Sequence, residues 1–311
     1  MMIVTLTMNP SVDKTVIVRN LSVGKVHRVM KSQISPAGKG INVSRMADRL
    51  GCAAIAFGFL AGEMGVLVER ALREEGVQSH FVRVPGQTRL NVTVFDEAAA
   101  SGTSFYDRGP RINKERLERL EVDLKPWIRG CKVLVISGSL PPGAADSSYA
   151  DYVSLARSMG TKTILDADGE PMRLGVQAGP YLIKPNLAEM ERLVGRALPS
   201  VSSIVDAARE VLAEGVQVVV VSMGAEGAIF AEGERVWRAM PPNVKRRSTV
   251  GSGDSMVAGL AVSIARGEEI LEGLRWGTAA GAATAMVPGT ALGTAARIHG
   301  LLPQVQLEPV P

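Results

Sequence analysis

The strongest constraint on this chain is the alternation of short, unbroken apolar runs with helical periods. Runs at 3–7, 54–59, 133–137, 163–166, 181–184 and 216–221 read as strands. Most are apolar at successive positions rather than at every second one, so both faces of their sheet must be covered. Helical periods lie between them. Ile204, Val205, Ala208, Val211 and Leu212 form one apolar face, and Met256, Val257, Leu260, Ala261 and Ile264 form another. Leu117, Leu120 and Leu124 form a third, expected to end or kink at Pro126. Such a rhythm predicts an α/β fold with a mostly parallel, doubly covered sheet. A hydrophobic fraction of 46% is enough for its core, and 33 glycines suit its many tight loops.

Two regions break the rhythm, at about 14–35 and 88–107. They carry strand-like runs at 15–18, 29–34, 90–95 and 103–106 with no helix between them. These runs alternate more, as half-buried strands do. They are expected to form a small β-sheet lying as a lid over the main body, within a single domain spanning 1–311. The tail 305–311, with two prolines, is expected to be loosely held.

Composition excludes several classes. Charged residues are 21%, too little charge with too much apolar content for disorder. The net charge of +4 is too small to argue for nucleic acid and is compatible with anionic small substrates. Cys52 and Cys131 stand apart with no CxxC or Cys/His metal spacing, as reduced thiols of a cytoplasmic protein do. The opening MMIVTLTMNPSVD has no basic region and reaches a carboxylate at Asp13, which reads as a first strand and not a signal peptide. No apolar run approaches the roughly 18–20 residues of a membrane span.

Ligands of open parallel sheets bind beyond the carboxyl ends of the strands. The unusual strings of this chain fall there. TLTMNPSVD (5–13), GSLPPG (138–143), DADGE (166–170), KPNLAE (184–189) and VSMGAEGA (221–228) each follow a strand candidate. One rim therefore collects Asp13, Ser139, Lys184, Asn186 and Glu189 with several glycines.

The sharpest string is STVGSGDS (248–255), which opens the helix of Met256–Ile264. Gly251 and Gly253, around Ser252, allow a tight turn that leaves backbone N–H groups free at a helix start, an anion hole. Asp254 would repel a phosphate there, so its chemical value is as proton acceptor from an attacking hydroxyl. Read locally, the same residue is equally a first-turn acid that stabilises the helix dipole. PAGKGINVSR (36–45) lacks the P-loop pattern; its Lys39 could hold an anion and Asn42 a hydroxyl. Arg89 in TRLN (88–91) could fork onto a phosphate, or form a surface ion pair. Asn186 and Glu189, one helical turn apart, suit Mg²⁺ as oxygen ligands, or equally an Asn cap with an acidic first turn.

Taken together and in order, these strings resemble the PfkB or ribokinase-like family of carbohydrate kinases. They look like its phosphosugar branch of 1-phosphofructokinase, tagatose-6-phosphate kinase and the minor 6-phosphofructokinase. The resemblance runs from TLTMNPSVD to AAGAATA (279–285). It implies a ribokinase-like fold with a β-sheet lid, ATP as phosphate donor, Mg²⁺ as cofactor, and homodimers through the lid strands. It implies Asp254 as catalytic base of a GAGD signature, here with Ser252 for the usual Ala, and Gly251, Ser252 and Gly253 as anion hole. It implies that Asp13, Gly38 and Asn42 hold sugar hydroxyls, and that Lys39, Arg89 and Ser139 lie near the substrate phosphate. Lys184, Asn186, Ser222, Gly224 and Gly227 fall on the nucleotide side, with Glu189 and Asn186 toward magnesium. Ala37 replaces a usual Gly, Arg108 adds a cation in DRGP (107–110), and DADGE replaces a usual D-S-G, leaving the role of that loop open.

The resemblance implies phosphorylation of a ketohexose monophosphate, with fructose 1-phosphate to fructose 1,6-bisphosphate as the first reading. Tagatose 6-phosphate and fructose 6-phosphate are the alternative acceptors. A kinase for a neutral sugar would not need both Lys39 and Arg89. A catalytically silent sugar-phosphate binding protein would not need an intact GSGD with Glu189.

Overall fold

The computed structural model describes residues 2–310. The chain opens with β1 (Met2–Thr7), β2 (Ser11–Val18), β3 (Lys31–Ala37) and α1 (Lys39–Arg49). Next come β4 (Ala53–Leu60), α2 (Gly62–Glu74), β5 (Gln78–Arg83), β6 (Arg89–Asp96) and β7 (Ser101–Phe105). The middle holds α3 (Lys114–Gly130), β8 (Val133–Ser137), α4 (Ser148–Ser158), β9 (Lys162–Asp166), α5 (Gly169–Gln177), β10 (Leu182–Ile183), α6 (Leu187–Val194) and α7 (Val201–Ala213). The last part holds β11 (Val218–Ser222), β12 (Ala228–Glu232), β13 (Arg235–Met240), α8 (Ser252–Arg266), α9 (Ile270–Ala285), α10 (Ala295–Leu301) and β14 (Gln306–Pro309).

Ten strands form one sheet in the order β14-β13-β12-β11-β10-β9-β8-β1-β4-β5. All pairs from β11 to β5 are parallel. β12, β13 and β14 extend the sheet antiparallel. The apolar runs explain the layers. Along β8, Leu134 and Ile136 pack with Leu124, Val153, Met172 and Val205 of the helices on one face. Val133 and Val135 pack with Met46, Val257, Leu260 and Leu274 on the other. A strand with both faces covered needs an apolar residue at every position.

A second sheet has the order β3-β2-β6-β7. β2 pairs antiparallel with β3 and parallel with β6, and β7 closes the outer edge, exposed throughout. Only residues 8–10 separate β1 from β2, and only Gly38 separates β3 from α1. The small sheet is thus anchored at the carboxyl rim of the large one. Val12 of β2 secures it, packed with Ile41, Ala56, Leu60, Val68 and Leu72.

The structure corrects three expectations and adds strands that were not expected. α3 neither ends nor breaks at Pro126 but runs on to Gly130. An interior proline costs about 3 kcal/mol. Leu120, Leu124 and Ile128 are fully buried on that helix, and each such side chain contributes about 1.5–3 kcal/mol. The tail is not loose: β14 pairs with β13, and Val305 is buried; Pro311 lies outside the described residues. The strand expected over 181–184 shrinks to Leu182–Ile183, and Lys184 just beyond it lines the cavity. β5, β12 and β13 had no counterpart in the sequence reading; β5 and β13 are edge-region strands of mixed polarity, without an unbroken apolar run.

Candidate active site

The carboxyl ends of β9, β10 and β11 converge with the amino ends of α1, α6 and α8 around a cavity of about 680 Å³. Two glycines shape this junction. Gly38 has φ 124°, and a Cβ there would lie 3.2 Å from the Pro10 backbone and 3.1 Å from Thr7 Cγ2. Gly251 caps α8 with φ 79°, and a Cβ would meet Leu292 Cδ2 at 3.0 Å. Its left-handed turn starts the helix at Ser252, so the N–H groups of Gly253 and Asp254 fall in the first turn, ahead of the intrahelical acceptors. Ser252, Gly253 and Asp254 all line the cavity.

Asp254 is 9% exposed and accepts a hydrogen bond from Asn42 Nδ2 at 2.8 Å. Burial pushes its carboxyl up to about 6, helped by the charge of Asp166 and opposed by the Asn42 hydrogen bond, Lys39 and Lys184. A carboxylate poised just below neutrality can take a proton at neutral pH and release it again.

Beside it stands a charged group from the DADGE string, whose role the sequence left open. Asp166 ends β9 and is 1% exposed. Its Oδ1 lies 3.0 Å from Lys39 Nζ and 3.5 Å from Lys184 Nζ. Burial disfavours its ionised form, but Lys184 and Lys39 outweigh that and hold it below the usual carboxylate range. Lys39 Nζ also lies 3.4 Å from Glu189 Oε1. The ammonium of Lys39 therefore faces the acids of the cavity, although it was expected near the substrate phosphate with Arg89 and Ser139. The DADGE string thus contributes the counter-charge of both lysines. A carboxylate ending an apolar parallel strand was the available signal.

Asn186 and Glu189 form a reciprocal capping box on α6. Asn186 Oδ1 accepts from the Glu189 N–H at 2.9 Å, and Glu189 Oε2 accepts from the Asn186 N–H at 2.8 Å. The amide oxygen of Asn186 is thereby engaged in the cap, while Glu189 lines the cavity with Oε1 facing Lys39 Nζ at 3.4 Å. Among the described residues no cluster of three or more His, Cys, Asp or Glu could hold a metal ion by itself. One carboxylate oxygen on a nucleotide-sized cavity suits Mg²⁺ that arrives on phosphates and keeps several waters. Ser222, Gly224 and Gly227 line the same cavity at the end of β11.

A second group gathers under the small sheet. Arg89, at the start of β6, donates from Nε to the Asn9 carbonyl at 3.1 Å. The Asn9 amide donates to the Arg108 carbonyl at 3.1 Å and to Ser139 Oγ at 3.3 Å. Asp13 accepts from Asn91 Nδ2 at 2.9 Å and Ser11 Oγ at 3.0 Å. Burial raises its carboxyl, and those hydrogen bonds and the charge of Arg89 oppose it. Asn9 and Asn91 were not singled out from sequence, since each stands in a quoted string with no local signature of its own. The expected residues thus fall into two groups: Asn42, Lys39, Lys184, Asn186, Glu189, Ser222, Gly224, Gly227 and the α8 start, and Asp13, Arg89 and Ser139.

The description "pfkB family carbohydrate kinase" matches residues 6–297. The chain is 33% identical to a 1-phosphofructokinase of Vibrio cholerae over 98% of this chain and 96% of that one. It is 33% identical to a 1-phosphofructokinase of Bacillus subtilis over 98% and 99%. Phosphofructokinase-2 from Escherichia coli, crystallised with substrates and products, superposes with a TM-score of 0.91 at 32% identity, covering 98% of this chain and 99% of that one. Fold, rim and relatives agree along the whole length, and the chain belongs to the PfkB family of carbohydrate kinases.

Proposed function

We propose that this kinase transfers the γ-phosphoryl group of ATP to the free terminal hydroxyl of a ketohexose monophosphate, with fructose 1-phosphate as acceptor and fructose 1,6-bisphosphate as product. One observation carries the reading. Asp254 is a buried carboxylate titrating near 6, hydrogen-bonded by Asn42, at a glycine-capped helix start that opens onto the cavity. Relatives named 1-phosphofructokinase at full-length coverage support the choice of acceptor.

The acceptor hydroxyl gives its proton to Asp254 as its oxygen bonds to the γ-phosphorus. The bond from that phosphorus to the bridging oxygen breaks, and its electron pair leaves with ADP. The N–H groups of Gly253 and Asp254 and the start of the α8 dipole favour the charge on the transferred group. Lys39 and Lys184, both held by Asp166, supply positive charge on the nucleotide side. Glu189 would hold Mg²⁺ with the nucleotide phosphates, and the ion would offset phosphate charge there. At the far end Arg89 offers a fork to the phosphate already on the sugar, near Ser139. Asp13 and Asn42 read hydroxyls between the two ends, and Gly38 gives the backbone room to approach.

The chain acts as one domain in this reading, with the small sheet as lid. The lid region exposes Val23, Val26, Met30, Ile34, Phe105 and Tyr106. An apolar surface of that kind supports pairing of two copies through the lid strands. Free, buried Cys52 and Cys131 suit a reducing cytoplasm.

The test is ADP release against fructose 1-phosphate, fructose 6-phosphate, tagatose 6-phosphate and unphosphorylated fructose. The highest kcat/KM is expected with fructose 1-phosphate. Preference for plain fructose over every sugar phosphate would sink the reading. Tight sugar-phosphate binding with no ADP release at all would instead mark a silent binding protein.

A further inference from the structure

The Asn42 that touches Asp254 is itself held from behind. Its amide has two different ends. Nδ2 donates to Asp254 Oδ2 at 2.8 Å, and Oδ1 faces Arg45 Nη1 at 3.5 Å, one turn along α1. A flipped amide would set oxygen against carboxylate and NH₂ against guanidinium, so both neighbours select the same orientation. Arg45 is 6% exposed and is gripped in turn by Glu75, at the carboxyl end of α2, through Nε–Oε2 at 2.9 Å and Nη2–Oε1 at 2.5 Å. Arg45 Nη1 also reaches the Pro36 carbonyl at 3.4 Å, on the strand that enters α1.

A second arm leaves the same carboxylate. Arg49 Nη2 lies 3.5 Å from Glu75 Oε2, and its Nη1 donates to the carbonyls of Leu292 and Gly293 at 2.9 and 3.1 Å. The Gly293 N–H donates to Thr284 Oγ1 at 3.0 Å, which meets Ser255 Oγ at 2.8 Å. Ser255 Oγ donates to the Gly251 carbonyl at 2.8 Å. Both arms end on the first turn of α8, one at Asp254 and one at Gly251.

We propose that Arg45 and Glu75, neither of which lines the cavity, are positioning residues for catalysis that hold the Asn42 amide against Asp254. The argument is geometric. A fork–fork ion pair on a buried guanidinium has a fixed plane, unlike a lysine head, and α2 is locked to the core through Val68 and Leu72. The pair therefore transmits a rigid position to a side chain that must stay within hydrogen-bond reach of the base. The inference rests on Asp254 being that base.

The test is a double-mutant cycle on kcat using Arg45→Met and Asn42→Ala, with Asp254→Asn alongside. Arg45→Met keeps the volume of the side chain, and Glu75, half-buried, can turn to water. Misplacement of about 1 Å can cost up to 10²-fold in rate, so kcat is expected to fall about 10- to 100-fold in Arg45→Met, with KM for ATP within about twofold. In the Asn42→Ala background the same substitution lowers kcat by less than about threefold, because the residue it acts through is gone. Glu75→Gln gives a smaller loss that also disappears in the Asn42→Ala background, and it carries the test if Arg45→Met does not fold. Losses that multiply between Arg45 and Asn42, or a kcat unchanged in both Arg45→Met and Glu75→Gln, overturn the proposal. Near-normal kcat in Asp254→Asn would mean that the catalytic reading itself had failed; full loss in Asp254→Asn with multiplying losses elsewhere means that only the positioning role had failed.

Discussion

The side-chain amide of Asn42 donates to the Asp254 carboxylate at 2.8 Å, joining the first turn of α1 to the first turn of α8 across 212 residues of chain. That bond opposes the burial that raises Asp254, and it aims the second oxygen of the carboxylate. Asp254→Asn keeps the shape and the Asn42 contact but removes the proton acceptor. We expect kcat to fall roughly 10² to 10⁴-fold with KM values little changed. Steady-state kinetics on the variant decide it, and near-normal kcat would falsify the assignment.

As the proposed base, Asp254 must be ionised to act, and burial pushes its carboxyl up to about 6. The kcat profile should rise with pH through about 6 and level above it. Stability runs the other way. The folded-state value lies above the ordinary 3.8, so folding is penalised by the ionised group as pH rises from about 4 through 6, and the whole penalty is present above 6. Asp254→Asn should therefore raise the melting temperature by several degrees at pH 8 and hardly at all near pH 4. A melting temperature lowered at pH 8 contradicts the burial argument.

Arg89 is held by the Asn9 carbonyl, and in the proposed reading it grips the sugar phosphate at the end away from Asp254. Arg89→Ala should raise KM for the sugar phosphate by at least about tenfold and leave KM for ATP within about twofold. Equal changes in both constants would place Arg89 outside the sugar-phosphate end.

Glu189→Gln separates cap from metal. Glutamine can still accept the Asn186 N–H, so the capping box and the fold survive. Activity should require more Mg²⁺, with the half-saturating concentration up by about fivefold or more. Activity of the unaltered enzyme should vanish with chelator and return with Mg²⁺. A magnesium titration that does not shift in Glu189→Gln removes that carboxylate from the metal.

The C-terminal strand offers a test of stability. Deleting 305–311 strips β13 of its outer partner and leaves it paired only with β12, removes buried Val305 and frees Arg275, which donates to the Val305 carbonyl at 2.9 Å. The melting temperature should drop by roughly 5 °C or more, since about 1 kcal/mol moves it by 2–4 °C in a large domain. An unchanged melting curve would mean that β14 contributes nothing to the fold.

Much of this was legible beforehand for a local reason. Unbroken apolar runs such as Val133–Ser137 report a strand covered on both faces, and the structure places that strand with its full length intact. GSGD reports a helix start, because glycine at Gly251 is what a left-handed cap against Leu292 requires. The edges were less legible. β13 and β14 have one weakly covered side, so their residues are mixed, and two prolines disguised a paired strand as a tail.

The resemblance to the carbohydrate kinases singled out Asp254; the sequence by itself determined the fold class and the strand ends where the unusual strings collect. Those properties depend on periodicity and turn chemistry, which act over a few residues. Only the tertiary structure decided that Lys39 and Lys184 share Asp166, that Asn42 reaches Asp254, and that Asn9 draws Arg89 and Ser139 together. Each of these contacts joins residues from distant parts of the chain. They exist because β9 lies between β8 and β10 and because α1 and α8 pack on the same face of the sheet, and strand order and helix placement leave no mark on the local string.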